Sequence, residues 1–243
     1  MKSNLSLSGI VVAAAFVLAG TAQAGVIYSM GTSTSTFKSV EFEDNDNNFH
    51  STNGSSVTHY TDSAEGSAFK FHKDDLDRRC EVKGAAGFTP AKGSTYYIGW
   101  RLKIGSLTNN NSYFQWKSYG SPMVQNYPVV LKMINGQLNF EHYAAGQSRV
   151  TLWKHSVSAN TWYSIVIKIK YHDDPSQGNI QFFFGNDTAP ETLLTGGTSY
   201  TGKTFDGTGN EPKWGYYGET NTNEDTAIAR LKIGSAYADV KPF

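Results

Sequence analysis

Apolar and polar residues alternate along most of this chain with a period of two. The alternation is clearest in residues 98–104 and 163–171, where every second side chain is large and apolar. A period of two is typical of β-strands with one buried face. Similar patterns occupy residues 37–43, 67–72, 79–83, 113–119, 128–134, 137–143, 179–184 and 227–233. The chain is therefore predicted to consist of many short strands.

Turn signals separate these strands. Asn135-Gly136 lies between two alternating segments, and this pair favours a two-residue hairpin because both residues adopt positive φ readily. The polar stretches 44–62 and 196–210 are predicted to be surface loops. No segment after residue 24 has a helical period of useful length. The pattern predicts an all-β fold, a β-jelly roll in which two antiparallel sheets form a concanavalin-like sandwich.

The first 24 residues form a different kind of segment. Lys2 precedes an apolar run at residues 10–18, and the small residues Thr21-Ala22-Gln23-Ala24 follow. This order is typical of a secretory signal peptide. We therefore predict a signal peptide at 1–24 and a single domain at 25–243 that is secreted and extracellular. No membrane partner is expected, since no segment reaches the ~20 apolar residues of a membrane-spanning helix.

Charge and cysteine content narrow the possible partners. The chain has 21 basic and 21 acidic residues, and removal of residues 1–24 takes away one lysine, leaving 20 against 21. Without an overall positive field, no nucleic-acid partner is expected, and affinity for a polyanion requires a local cluster of cations. Cys80 is the one cysteine, so no internal disulfide can form. Nothing in the sequence indicates an obligate assembly, and a monomer is expected.

Aromatic residues make up 14% of the chain. By alternation, Trp100, Trp153 and Trp162 are predicted to be core residues. Polar residues provide the functional signal, because several strands carry them on one parity and therefore on one face. The sets that share a parity are Lys70 and His72; Arg79, Glu81 and Lys83; Gln115 and Lys117; and Lys213, Gly215 and Tyr217.

Cations, an amide, a histidine and a phenol are the groups needed to process a sugar carboxylate. In a uronic-acid polymer, removal of the weakly acidic proton on C-5 places negative charge on the adjacent carboxylate. Cationic and amide groups stabilise that charge. A tyrosine or histidine can take the proton, and the same or a second group can protonate the leaving oxygen on C-4. The chemistry requires no cofactor.

Three segments carry a family resemblance. Arg79-Cys80-Glu81-Val82-Lys83, Gln115-Trp116-Lys117 and Lys213-Trp214-Gly215-Tyr216-Tyr217 stand in the same order as motifs that read roughly RSELR, QIH and YFKAGVY. Those motifs belong to the jelly-roll polysaccharide lyases of the alginate-lyase type. Overall the chain resembles the fungal glucuronan lyases of polysaccharide lyase family 20, and more weakly the heparin-lyase group. The likeness covers about residues 67–234.

The resemblance implies a lyase that acts on an acidic polysaccharide, β-1,4-glucuronan above all. It implies that Tyr217 transfers the proton and that Gln115 and Arg79 neutralise the carboxylate. Where the motif has histidine this chain has Lys117, a poorer base unless its pKa is depressed. His72 is the first candidate for the missing histidine role, and His142 is the second. The predicted substrate-binding residues are Lys117, Lys213, Lys83, His142 and Lys132.

A structural calcium ion is a further expectation. Acidic residues lie near the first long strand and just before the last strand, and such oxygen-rich groups suit calcium. The first and last strands of such sandwiches are often neighbours. Glu43 and Asp225 are therefore the predicted metal ligands, with an exposed acidic loop as the alternative.

Two other functions remain open from the sequence. A glycoside hydrolase on the same fold would use two carboxylates roughly 5 to 10 Å apart, and Glu81 and Glu141 are conceivable as that pair. A carbohydrate-binding lectin without catalysis would also show the aromatic residues and the polar face. The products would separate the three functions, because a lyase alone creates an unsaturated uronate.

Overall fold

The structure is a computed structural model that describes residues 25–50, 54–185, 197–218 and 221–243. The predicted signal peptide at 1–24 lies outside the described residues. The strands are β1 Val26–Ser29, β2 Phe37–Asp44, β3 Phe49–His50, β4 Ser56–Asp62, β5 Gly66–Lys73, β6 Asp77–Ala85, β7 Thr95–Ile104, β8 Ser112–Tyr119, β9 Val129–Ile134, β10 Gln137–Tyr143, β11 Arg149–Ser156, β12 Trp162–Lys170, β13 Asn179–Gly185, β14 Tyr200–Thr201, β15 Gly209–Tyr217 and β16 Glu224–Gly234. A short helix, α1 Tyr237–Val240, follows β16, and 3-10 turns cover Thr34–Thr36 and Ala145–Gln147.

The strands form two antiparallel sheets. Sheet I has the order β14-β13-β12-β7-β16-β5-β4, with β1 paired to β16. Sheet II has the order β11-β10-β9-β8-β15-β6-β2-β3. The predicted all-β sandwich of the jelly-roll type is confirmed.

The core lies between the sheets and is unusually aromatic. Trp100 of sheet I stacks on Phe114 of sheet II with ring centroids 5.2 Å apart, and Phe114 also contacts Trp214. The lone thiol of Cys80 is buried in this layer. Since alternate residues of β6, β8 and β15 enter the core, the intervening residues of these strands must lie on the outer face of sheet II.

The sequence-based strand assignment is confirmed for interior strands and fails at the edges. Asn135 and Gly136 have φ of 51° and 72°, as the predicted hairpin requires. The prediction of one surface loop over 44–62 is wrong, because β3 and β4 lie within it. Both are edge strands, and no residue of β4 is fully buried, so its alternation is weak.

One predicted core residue lies elsewhere. Trp100 and Trp153 are buried, as expected, but Trp162 is half-buried on the outer face of sheet I. Its parity in β12 is that of Ser164, whereas Tyr163 and Ile165 enter the core. Within the described ranges, no helix has the length and apolar character needed to cross a bilayer.

Candidate active site

The outer face of sheet II gathers most of the residues singled out in the sequence. Tyr217 of β15 pairs with Arg79 of β6, while Lys213 pairs with Lys83 of β6 and with Gln115 of β8. Antiparallel partners share a face. We call this surface the polar face; its members are Glu41, Glu43, Arg79, Glu81, Lys83, Gln115, Lys117, Lys132, Lys213 and Tyr217.

Glu81 is the centre of the polar face. Its carboxylate is 1% exposed and accepts hydrogen bonds from Arg79 Nη1 at 2.5 Å and Gln115 Nε2 at 2.8 Å. Lys213 Nζ lies 2.6 Å from the same carboxylate. Burial lowers the pKa of Arg79, but Glu81 and Glu43 outweigh burial and raise it. Three side chains predicted to meet a substrate are therefore held by one buried acid.

Two further acids complete the network on the strand next to β6. Glu43 accepts a hydrogen bond from Arg79 Nε at 2.6 Å. Glu41 lies 2.8 Å from Lys213 Nζ and 3.2 Å from Lys83 Nζ. The positive charges of Arg79 and Lys213 are thus balanced inside the protein, and these two side chains form the floor of the site.

Tyr217 stands on this floor at the end of β15. The Arg79 guanidinium carbon lies 4.1 Å from the centroid of the Tyr217 ring. Arg78 Nη2 donates a hydrogen bond to the phenol oxygen at 3.2 Å. Two guanidinium groups therefore flank the phenol, one over its ring and one bonded to its oxygen.

Arg78 is a site residue that alternation assigns to the wrong face. It precedes Arg79 in β6, so a regular strand would direct it into the core. The pairing of β2 with β6 is irregular between Glu43 and Asp44, and such an irregularity re-aims neighbouring side chains. The sequence signal was the Arg78-Arg79 pair, but the irregularity is visible only in the tertiary structure.

A cleft of about 260 Å³ opens beside the Tyr217 ring. Lys132 contributes the free cation of this cleft: among the described residues it has no hydrogen-bond or ion-pair partner. Burial lowers the pKa of Lys132, and Glu141 opposes the shift. The side chains that line the cleft include Arg78, Gln115, Tyr127, Lys132, Tyr143 and Tyr217.

A β-bulge interrupts the pairing of β15 with β8 just before Tyr217, while the pairing of β15 with β6 stays regular. The register between β15 and β8 shifts between Trp214 and Tyr217, and Gly215 within this segment has φ of 132°. A Cβ atom on Gly215 would lie 2.3 Å from the carbonyl oxygen of Cys80. Glycine is required here because any side chain would collide with the backbone of β6.

We expect Gly215→Ala to lower the free energy of unfolding by at least about 2 kcal/mol, since it combines backbone strain with overpacking. Urea denaturation measures the change. Gly209→Ala in the same strand is the matched control, because its Cβ would meet no atom within 4 Å, and we expect a change below about 0.5 kcal/mol. Equal effects of the two substitutions would contradict this account of the bulge.

Lys117 lies farther along the polar face, where β8 approaches its end. Burial, reinforced by Lys213 and Arg79, lowers the pKa of Lys117 to about 8. Its ammonium group donates to the side-chain oxygen of Asn126 and has no carboxylate partner among the described residues. The depressed pKa that a lysine needs in place of histidine is therefore present.

Both predicted histidines lie away from the polar face. His72 is on sheet I, where its Nδ1 is 2.9 Å from Asp225 Oδ1. His142 is 2% exposed on the core-facing parity of β10 and lies 2.8 Å from the carbonyl oxygen of Lys203. Burial lowers the pKa of His142. Alternation identifies the face within a strand but not the sheet, so His72 was grouped with the wrong strands.

The predicted metal ligands do not meet either. Glu43 lies on sheet II and binds Arg79, whereas Asp225 lies on sheet I and binds His72 and Lys70. A calcium site formed by Glu43 and Asp225 is therefore a wrong prediction. The described part of the chain contains no group of three or more His, Cys, Asp or Glu residues arranged to hold a metal ion.

Comparison of the sequence with protein-family models identifies the family of this chain. A family model described as polysaccharide lyase matches residues 31–228, a range that includes all three motifs. The chain belongs to this polysaccharide lyase family. Comparison with curated proteins by sequence found no match, so assignment of this polysaccharide lyase to family 20 stays a prediction.

Solved structures share the fold at low identity. A substrate complex of a variant of the family 7 alginate lyase A1-II' has a TM-score of 0.55 at 13% identity, covering 81% of this chain and 91% of that one. The family 7 alginate lyase AlgAT5 has a TM-score of 0.53 at 14% identity, with 83% and 95% covered. A carbohydrate esterase from the Shiga toxin-encoding bacteriophage phi24B has 0.53 at 14%, with 87% and 99% covered. One fold thus carries different activities, and function must be argued from the site.

Proposed function

We propose that this polysaccharide lyase is exported and cleaves a uronic-acid polymer by β-elimination in the cleft beside Tyr217. The observation that carries the proposal is the composition of this cleft. It combines a phenol flanked by two guanidinium groups, a primary amide and a lysine that forms no ion pair with any described residue. These groups match the proton transfer and the carboxylate stabilisation that the reaction requires.

The elimination moves one proton and breaks one carbon–oxygen bond. The phenol oxygen of Tyr217, in its deprotonated form, takes the proton from C-5 of the uronate. The electron pair forms the double bond between C-4 and C-5 as the bond from C-4 to the leaving oxygen breaks, and the leaving oxygen receives a proton. In β-1,4-glucuronan the C-5 proton and O-4 lie on the same side of the ring, so Tyr217 can perform both transfers.

The residues that we expect to bind the substrate carboxylate differ from those that the motifs imply. Gln115 gives one bond to Glu81 and keeps a second amide N–H available. The ammonium group of Lys132 makes no hydrogen bond to any residue that the structure describes. We assign the carboxylate to Gln115 and Lys132. The motifs suggested Arg79 and Lys213 as substrate ligands. We assign them a positioning role instead: Arg79 packs against the Tyr217 ring, and both cations bind Glu81.

Glucuronan is the substrate we propose, and the motif resemblance supports it. The structural neighbours named as alginate lyases act on a related uronate polymer, so alginate is the second candidate. Both polymers present one carboxylate on each sugar, and both fit a cleft with a free cation.

The hydrolase alternative fails on geometry for the predicted pair. Glu81 on β6 and Glu141 on β10 are four strand spacings apart, or about 19 Å, well beyond the roughly 5 to 10 Å that glycoside hydrolysis uses. Glu41 faces Glu81 directly, but Lys213 bridges them. Burial raises the pKa of Glu41, and the nearby lysines outweigh it and lower that pKa, contrary to what a general acid requires.

The pKa of Lys117 predicts a pH limit on substrate binding. Below about pH 8 its ammonium form attracts uronates, and above that pH the charge is lost. We expect KM for glucuronan to rise about tenfold as pH increases through this range, the equivalent of ~1.4 kcal/mol. In Lys117→Arg the charge persists, so steady-state kinetics should show no rise. The same rise in both proteins would exclude Lys117 as its source.

The first experiment incubates the purified protein with glucuronan, alginate and a neutral β-glucan. Ultraviolet absorbance reports the conjugated double bond, and a reducing-end assay reports hydrolysis. A rise in absorbance with glucuronan is the expected result. Reducing ends released from the neutral β-glucan without a double bond would refute the proposal.

A further inference from the structure

A second cleft lies at the other end of the polar face. It has a volume of about 570 Å³, and Lys83, Tyr119, Phe205 and Glu211 contribute to its walls. Tyr119 of β8 pairs with Gly209, the first residue of β15, whereas Tyr217 is the last. The contacts that join Tyr119 to Tyr217 through Lys83, Glu41 and Arg79 limit the separation of the two rings to about 20 Å. A saccharide that reaches both clefts must contain several sugar units.

Tyr119 has the chemistry of a binding residue in this second cleft. Its half-buried ring lies 5.1 Å from Lys83 Nζ and 5.5 Å from Lys117 Nζ. Burial, with help from Glu41 and Glu81, raises the pKa of its hydroxyl. The residue therefore offers an apolar ring and a neutral hydroxyl beside two ammonium groups.

Cations and carboxylates both lie near Tyr119: Lys83 and Lys117 approach its ring, whereas Glu41, Glu81 and Glu211 act on its hydroxyl. Lys117 has no acidic partner in the part of the chain that the structure describes, and Lys83 shares Glu41 with Lys213. Between the two clefts, the buried Glu81 carboxylate bonds both Gln115 and Lys213. Lys132 and Lys117, at the two ends of the polar face, thus have no carboxylate ion-pair partner among the described residues.

We propose that Tyr119, Lys83 and Lys117 form a distal subsite for a uronate unit of the polymer being cleaved at Tyr217. The two ammonium groups bind the carboxylate, and the tyrosine ring packs against the sugar. The inference rests on the proposed function for the identity of the polymer. It adds a selectivity for chain length, because a short saccharide in the cleft at Tyr217 cannot reach Tyr119.

The test compares Tyr119→Ala with the parent protein on high-molecular-weight glucuronan and on the glucuronan trisaccharide. We expect kcat/KM for the polymer to fall about tenfold and the ratio of polymer to trisaccharide kcat/KM to fall at least about fivefold. Tyr97→Ala on sheet I is the matched control, and its ratio should match the parent. The proposal is refuted if Tyr119→Ala leaves the ratio unchanged, whether the two kcat/KM values stay at the parent level or fall by the same factor.

A binding measurement separates this inference from the proposed reaction. In a Tyr217→Phe background, which prevents turnover, isothermal titration with glucuronan should show a Kd about tenfold higher when Tyr119→Ala is added. If the parent makes no unsaturated product from any uronate polymer, the proposed function fails, and the titration alone decides the subsite. Equal Kd values with and without Tyr119→Ala would then refute it.

Discussion

Tyr217→Phe should lower kcat on glucuronan by about a thousandfold, within the range that loss of a positioned acid–base group produces. The substitution removes one oxygen and leaves the ring above Arg79. The phenol meets the reacting atoms in the transition state, so we expect KM to change much less than kcat. Steady-state rates from ultraviolet absorbance give both constants.

Two controls make this result specific. The urea midpoint of Tyr217→Phe should equal that of the parent, because the ring packing is kept and the lost hydrogen bond from Arg78 is half-buried. Tyr97→Phe, a tyrosine on sheet I, should leave kcat within about twofold. Turnover of Tyr217→Phe close to the parent rate would exclude this phenol as the proton-transferring group.

Glu81→Gln should have the largest effect on stability. The substitution keeps the size of the side chain but removes the charge that Arg79 and Lys213 face from inside the protein. Breaking one partner of a buried ion pair typically costs 3–5 kcal/mol. Glu43 and Glu41 retain part of the balance, so we expect a loss of about 3 kcal/mol in the free energy of unfolding.

Urea denaturation of Glu81→Gln can be compared with that of Glu211→Gln. The ion pair between Glu211 and Lys38 is much more exposed, with side chains 26% and 29% accessible, and such pairs contribute at most about 1 kcal/mol. A loss in Glu81→Gln no larger than in Glu211→Gln would mean that the buried network on the polar face does not hold the sheet together.

Alternation within single strands predicted the main residues of the polar face but not every strand that contributes to it. Alternation placed Arg79, Gln115, Lys213 and Tyr217 on the polar parity of their strands, and the pairing of β6, β8 and β15 unites them on sheet II. The same reasoning failed for His72, because β5 belongs to sheet I. Parity is a local property, whereas the assignment of a strand to a sheet depends on contacts distant in sequence.

The sequence also could not predict which lysines and arginines form ion pairs. Lysines and arginines on a polar face look equivalent in one dimension, yet Lys213 is 1% exposed between two acids while Lys132 has no partner among the described residues. Strand register decides this, because it determines which carboxylate lies opposite each cation. The predicted calcium pair failed for a related reason, since Glu43 and Asp225 lie on different sheets.

The sequence by itself determined the all-β class, the interior strands, the hairpin at Asn135-Gly136 and the three motif segments, because these depend on periodicity and local turn chemistry. The tertiary structure alone decided three other features: the edge strands, the bulge at Gly215, and the ion pairs that hold Arg79 and Lys213 against buried acids. Each of these depends on hydrogen bonds and charges supplied by neighbouring strands, and a single strand carries no record of its neighbours.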